Sequence, residues 1–463
     1  MPTRDPQAAL ALDDAREIIE AASLCPPPRL DDPLPGRIGL EPERFAMVVE
    51  EDGRPGRRLS LEGCGGVLEL LSRSCEPLLG PARFETHPPA MDLPGGGNLT
   101  FEPGAQLEHS TAVYTSASTA LDDVLRIGGA MDRAVSPSGA RLFSLGVDPW
   151  HTPDDVPQQL RAPRYHAMAA YLASRSPYGA EMMRNSCSLQ VNLDLGPKDV
   201  RASRYAVANL LSPVLAACFS TSPERPGEER YHCRRARIWQ QLDPTRSGFP
   251  KAFLEGRGTP TDQYVEAVLD ADVLLFRTPG GADTGRAGFR FRDWLERGDD
   301  AHGRPTADDL RYHLTTVFFE VRARGFLEMR TIDALPPRWR AAAVAFTSGL
   351  VYDAEACERA RALLEPWRED LHERWVRAGR VGLADAELHR ASVELWRLAL
   401  AGAERLGSDF LRAEHLADAA DFADRYTGSG RAPADDLRDV LGDPARAVEW
   451  ALGSGLDSAE ILV

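Results

Sequence analysis

Residues 314–333, LTTVFFEVRARGFLEMRTID, constrain this chain most, because they set a carboxylate and a guanidinium two residues apart inside an apolar run. Side chains alternate along a strand, so Phe326, Glu328 and Arg330 share one face while Leu327 and Met329 fill the other. Burying an unpaired carboxylate is costly, and Glu328 must meet either a salt-bridge partner or a metal ion. Taken alone, the stretch fits an Arg–Glu pair tying two strands together just as well.

Three further segments have the same character. In RIGLEPERFAMVVE (37–50), Gly39, Glu41, Glu43 and Phe45 fall on one strand face and Ile38, Leu40 and Ala46 on the other. Pro42 cannot donate a ladder hydrogen bond, which predicts an edge strand or its border. LPGGGNLTFEPGAQLEHST (93–111) reads as a glycine turn leading into an extended segment, with Glu102, Gly104, Gln106 and Glu108 opposite Phe101, Ala105 and Leu107. NSCSLQVNLDLG (185–196) alternates most clearly, with Leu189, Val191 and Leu193 against Gln190, Asn192 and Asp194. Each polar face is open to two readings at this point, a solvated sheet surface or the lining of a charged site.

Helical spacing is expected over 13–22, 60–80, 111–131, 164–176, 199–221 and 261–270, and again from about 336 onward. The proline-rich CPPPRLDDPLPG (25–36) predicts a partly disordered connector, TPGGADTGRAG (278–288) a glycine-rich loop, and the chain from 427 a peripheral tail. Residues 234–249 read as a strand or helix end entering a loop that carries Arg237, Trp239, Asp243 and Arg246. The division expected is an N-terminal helix and connector (1–35), a catalytic unit (36–335) and a helical C-terminal region packed on it (336–463).

Composition narrows the function. Seventy acidic against 54 basic residues give a net charge of −16, which disfavours nucleic acid and anionic membranes as partners. No apolar run is long enough to span a membrane, and the first residues lack a signal-peptide pattern, so a cytosolic protein is expected. The seven cysteines form no CxxC pair or Cys/His quartet, and the only lysines, Lys198 and Lys251, lack the setting of a GxxxxGK[ST] loop.

If they converge, Glu41, Glu43, Glu102, Glu108 and Glu328 would hold hard divalent cations through oxygen, and the absence of histidine and cysteine among them disfavours zinc. Mg²⁺ completes its shell with phosphate oxygens, which points to a nucleotide phosphate site without a Walker loop and with arginines neutralising the transferred group. A paired-carboxylate glycosidase would use two acids and no arginine clamp, and so explains only part of the set.

GLEPERF (39–45), LTFEPGAQLEHS (99–110), CSLQVNLDLG (187–196), FRDWLERG (291–298), HLTTVFFEVRARGFLEMRTIDALP (313–336) and SGLVYD (348–353) together resemble the glutamate–cysteine ligases of the plant and proteobacterial type, a family with an actinobacterial branch that opens ergothioneine synthesis. The resemblance implies an α+β fold with a glutamine-synthetase-like, largely antiparallel catalytic sheet and flanking helices. It implies that ATP phosphorylates the γ-carboxylate of L-glutamate and that the amine of L-cysteine attacks the acyl phosphate, forming γ-glutamylcysteine for ergothioneine or glutathione. By the same resemblance Glu41, Glu43, Glu102, Glu108 and Glu328 are the ligands of two or more Mg²⁺ ions, and Arg330, with Glu328, stabilises the phosphoryl group. Gln106, Gln190 and Asn192 then line the glutamate and nucleotide pocket, Arg237 and Arg246 are candidates for a substrate carboxylate, and the assembly is a monomer or homodimer. A ligase of the same fold with another amine acceptor and a non-catalytic nucleotide-binding relative are the alternatives. Two departures stand out: the arginine expected just before the cysteine of the QVN strand is displaced by one position to Arg184, and Phe319 replaces the usual proline of TTxFPEVR.

Overall fold

The computed structural model describes residues 9–25, 35–74, 76–80 and 88–453, so most of the proline-rich connector lies outside the described residues. The first seven strands are β1 (Ile38–Val49), β2 (Pro55–Arg58), β3 (Met91–Asp92), β4 (Gly97–Phe101), β5 (Leu107–Thr111), β6 (Ala140–Phe143) and β7 (Leu189–Asp194). Four short ones follow, β8 (Ser247–Gly248), β9 (Leu275–Thr278), β10 (Gly281–Thr284) and β11 (Phe318–Phe319), and then β12 (Val321–Ala323) and β13 (Phe326–Met329). The main sheet has nine strands: seven run in the order β12-β13-β7-β1-β5-β4-β3, and β2 and β6 also pair with β1. Every pairing in it is antiparallel. This is the α+β arrangement the sequence predicts.

Several local expectations are corrected. β1 is not an edge strand but the centre of the sheet. The Glu43 N–H donates to Ser188 O at 2.9 Å on the β7 side, so the nitrogen of Pro42, one residue back, faces β5, where the ladder pairs only Glu43 and Arg44. Residues 93–111 are not one extended segment: β4 and β5 form a hairpin whose turn is closed by Glu102 N–H to Gln106 O and Ala105 N–H to Glu102 O. Among the described residues of 60–80 only Val67–Arg73 is helical, and the 278–288 loop is largely the β9–β10 hairpin. Arg184 lies in the helix Gly179–Asn185, not on a strand, so displacement by one position turns it by about 100° around a helix and not to the opposite strand face.

The apolar faces of β1, β7 and β13 are buried, with Leu40, Leu189, Val191, Leu193 and Leu327 all fully enclosed. The same core continues into the helix Arg340–Tyr352, every residue of which is buried. That helix crosses Ala386–Leu406 at Gly349 and Gly402, where a Cβ on either glycine would run into the backbone of the other helix. The described residues beyond 427 are no peripheral tail: Leu437, Leu441, Ala447 and Val448 share a core with Phe45, Met47 and Phe143. No described helix is long and apolar enough to cross a membrane, and the six described cysteines are free thiols.

Candidate active site

Glu41 and Glu43 come from β1, Glu108 from β5 and Glu102 from the β4–β5 turn, and all four keep partial exposure. Register sets Glu43 directly opposite Glu108, and Glu41 opposite Gln190. Like charges facing each other across a ladder destabilise it. Burial, then the charge of Glu108 and Glu328, raises Glu41 to about 7; burial and then Glu43 raise Glu108 to about 7. Burial and the charges of Glu108 and Glu43 push Glu102 up to about 8. Burial also raises Glu43, against the pull of Arg235 and the Ser188 bonds.

Neutral donors offset part of this charge. The Ser188 N–H and hydroxyl donate to Glu43 at 2.7 and 3.0 Å, the Asn192 amide to Glu41 at 2.8 Å and the Thr100 hydroxyl to Glu108 at 2.5 Å. The Gln190 amide nitrogen reaches Glu43 at 3.3 Å and Glu108 at 3.5 Å.

Glu328 sits in the opposite environment. On β13 it faces Asn192 of β7 on one side and Arg322 of β12 on the other, with no exposed surface. Arg322 grips both its oxygens at 2.9 and 2.7 Å, Arg330 donates at 2.5 Å and Arg324 at 3.3 Å. Burial opposes ionisation here, but these arginines hold the carboxyl down to about 2. Arg330 also donates to Gln190 Oε1 at 3.1 Å and stands 5.6 Å over the Trp239 ring. A bowl of unbalanced carboxylates thus borders a row of arginines, and the Gln190 amide, accepting from Arg330 and donating to the acids, joins the two.

One predicted lining residue, Gln106, and the two candidates for a substrate carboxylate, Arg237 and Arg246, are placed otherwise. Gln106 is 1% exposed; its carbonyl accepts the Gly104 N–H at 2.9 Å and its nitrogen donates to Ser186 O at 3.0 Å, so it anchors the turn that carries Glu102. Arg246 has no exposed surface and is spent on Asp243 at 3.0 Å and on the carbonyls of Thr316 and Asp272, which leaves nothing for a substrate carboxylate. Arg237 is paired with Glu224 at 3.0 Å and lies 4.5 Å over the ring of Tyr231.

The sequence reading missed Arg322, Arg235 and Glu320. Arg322 and Glu328 are symmetric about Gly325, whose φ of 75° closes the β12–β13 turn, and that symmetry was a usable signal. Arg235, from the helix Arg234–Gln240, holds the carbonyls of Arg330 and Thr331 at 2.9 and 3.1 Å. Nothing local to its segment marks it. Buried Glu320 accepts from the Thr331 hydroxyl at 2.7 Å.

Among the described residues no group of three Asp, Glu, His or Cys side chains is gathered tightly enough to chelate one ion. The glutamates form an open bowl, not a closed cage. An all-oxygen donor set with surplus negative charge suits Mg²⁺, which takes few protein ligands and keeps water and phosphate in its shell.

The profile of glutamate–cysteine ligase family 2 matches residues 37–450. The chain belongs to this family. It is 32% identical over 413 residues to the glutamate–cysteine ligase EgtA of Mycolicibacterium smegmatis, covering 88% of each chain. With EgtA of Mycobacterium tuberculosis it is 32% identical over 428 residues, covering 90% of this chain and 89% of that one. The chloroplastic glutamate–cysteine ligase B of Oryza sativa is 29% identical over 323 residues, 68% of this chain and 64% of the rice protein. The fold is that of the glutamate–cysteine ligase of Francisella tularensis, solved in complex with AMP: TM-score 0.51, 12% identity, 91% of this chain and 90% of that one. The motifs singled out in the sequence therefore pointed to the right family.

Proposed function

We propose that this protein joins the γ-carboxylate of L-glutamate to the amine of L-cysteine at the cost of ATP, through a γ-glutamyl phosphate, and that its product feeds ergothioneine synthesis. The observation that carries the chemistry is the juxtaposition of four unbalanced carboxylates, Glu41, Glu43, Glu102 and Glu108, with the arginine row of Arg322 and Arg330. Mg²⁺ held by these glutamates, with Glu328 at their border, would neutralise the polyphosphate oxygens.

The remaining work falls to the chain itself. A γ-carboxylate oxygen of glutamate attacks the terminal phosphorus of ATP and ADP leaves with the bond electrons. The amine nitrogen of cysteine then attacks the acyl carbon, phosphate departs and the amine proton is lost. Arg330, fixed by Glu328, Gln190 and the Trp239 ring, offers its remaining donors to the phosphoryl oxygens as charge develops on them. Gln190 and Asn192, bonded to the acids, fix carboxylate orientation. The EgtA relatives, similar over nearly the full chain, support the assignment of substrates and pathway.

The test is ADP release by the purified protein with Mg²⁺-ATP and L-glutamate, with and without L-cysteine, beside Arg330→Ala and a panel of other amines. Cysteine-dependent turnover, γ-glutamylcysteine by mass spectrometry and a loss of at least tenfold in the variant are expected. Turnover only with another amine overturns the acceptor, and no turnover with any amine overturns the ligase reading.

A further inference from the structure

The back of the central sheet carries positive charge that no ion pair among the described residues balances. Neighbouring strand residues point to opposite faces, so Arg44 and His109 lie behind the face that bears Glu43 and Glu108. The helices Ala117–Val135 and Arg340–Tyr352 pack on this side, the second bringing Arg340. Arg44 and Arg340 are each 3% exposed and His109 has no exposed surface.

Their hydrogen bonds are few. The Arg44 guanidinium makes one, from Nη2 to Val124 O at 3.3 Å, and its buried Nε has no partner. Arg340 donates from Nε to Leu335 O at 3.1 Å and from Nη2 to Ser144 Oγ at 2.9 Å, both uncharged. Neither ring nitrogen of His109 makes a hydrogen bond; Nε2 stands 3.6 Å from Asp123, which is engaged with Arg126 at 3.2 Å. Among the described residues neither guanidinium reaches a carboxylate in an ion pair. Arginine does not escape this by losing its proton, and an unbalanced buried charge is strongly destabilising.

The arrangement is nevertheless built to hold these side chains. Gly128 is bare where a Cβ would run into the Arg44 guanidinium. The more distant Asp132, which bonds Arg141 and the Leu142 N–H, exerts a weaker pull on Arg44. Asp132 is thus already paired with Arg141, and both guanidiniums keep an excess of positive charge.

We propose that Arg44 and Arg340, with His109 beside them, bind one small monovalent anion of the halide class as an internal counter-ion between the sheet and its two covering helices. The unused donors are N–H groups on buried side chains, which suits a small anion better than a bulky oxyanion. A water molecule would satisfy the same donors without balancing the charge.

The experiment compares thermal unfolding of the full chain in sodium chloride, sodium bromide and sodium gluconate at equal ionic strength, and collects bromine anomalous data from crystals grown in bromide. A ligand bound only by the folded state raises Tm with its concentration as the site fills. The expected result is a saturable rise of Tm in chloride and bromide over gluconate, an anomalous peak beside both guanidiniums, and loss of the halide increment in Arg340→Met. Equal Tm in all three salts, no peak at this place, or an unchanged increment in Arg340→Met would overturn the proposal. Should Arg340→Met not fold, Arg44→Met and the wild-type bromide map decide.

Discussion

Gln190 shows what single residues contribute here: one neutral amide accepts from Arg330 and donates to Glu43 and Glu108, so it couples the two charge populations without adding charge. The acids it touches are destabilising groups kept for what they can bind. Glu102→Gln removes one of four mutually repelling carboxyls, so the metal-free protein should gain on the order of 1 kcal/mol while Mg²⁺-dependent ADP release falls at least tenfold. Unfolding in EDTA and the ADP assay check the two arms, and a loss of both stability and activity would refute the trade-off. Arg246 predicts the reverse. Its Asp243 pair is fully buried, so Arg246→Ala should cost about 3–5 kcal/mol while the KM for glutamate of the folded fraction stays unchanged. Sequence placed both arginines 246 and 330 near the chemistry because alternation and composition report charge but not partners. Only Arg330 has neighbours that face the acids, and those neighbours come from strands distant in the chain.

At the scale of elements, the β4–β5 hairpin decides where Glu102 stands. Its turn is fastened on several sides: Arg58 donates to Gly104 O at 2.9 Å, Gln106 accepts the Gly104 N–H, and Arg58 is itself held by Asp148 at 3.0 Å. Gly104 lies against the backbone of Arg184, and a Cβ there would collide with it. Gly104→Ala should therefore shift the turn, cost about 2–4 kcal/mol and reduce turnover through Glu102, whereas Ser138→Ala, at the distant end of the sheet, should do neither. Parallel urea unfolding and ADP release would test this, and an active, fully stable Gly104→Ala would refute it. Strands β1, β7 and β13 were legible because period-two alternation survives when one face is buried. The 102–106 turn was not, because Pro103 and Gly104 sit between two acidic residues whose spacing mimics one extended face. Pro42 misled for a related reason, since a strand that changes partners along its length tolerates a missing donor at its centre.

The whole molecule titrates in two opposing directions. The bowl carboxyls hold their protons more tightly folded than unfolded, so the metal-free protein loses their share of stability as pH rises from about 4.5 toward 8. The buried histidines act in the other sense. His313, from the helix Ala307–Leu314, bonds through Nε2 to Val268 O at 3.0 Å, lies 4.7 Å from the Phe291 ring, and is pushed down to about 3, first by burial and then by Arg246. Its unfolded counterpart takes up a proton near pH 6.5. Below that value the unfolded state binds the proton first, so each unit of acidification costs up to about 1.4 kcal/mol until the folded ring also protonates near pH 3. Asp148, held down to about 2 against its own burial by His151 and Arg58, adds a loss only below about pH 4. The window from 6.5 to 4 therefore keeps Asp148 out of the histidine effect but still contains the bowl carboxyls. Because the carboxyls of the bowl oppose it, the readout is a difference: urea unfolding of wild type and of His313→Gln, which keeps a donor for Val268 O, at half-unit steps from pH 7 to 4. The variant should be less stable than wild type near neutrality, and the gap should close or reverse as pH falls. Parallel curves would mean that His313 does not stay neutral in the folded core.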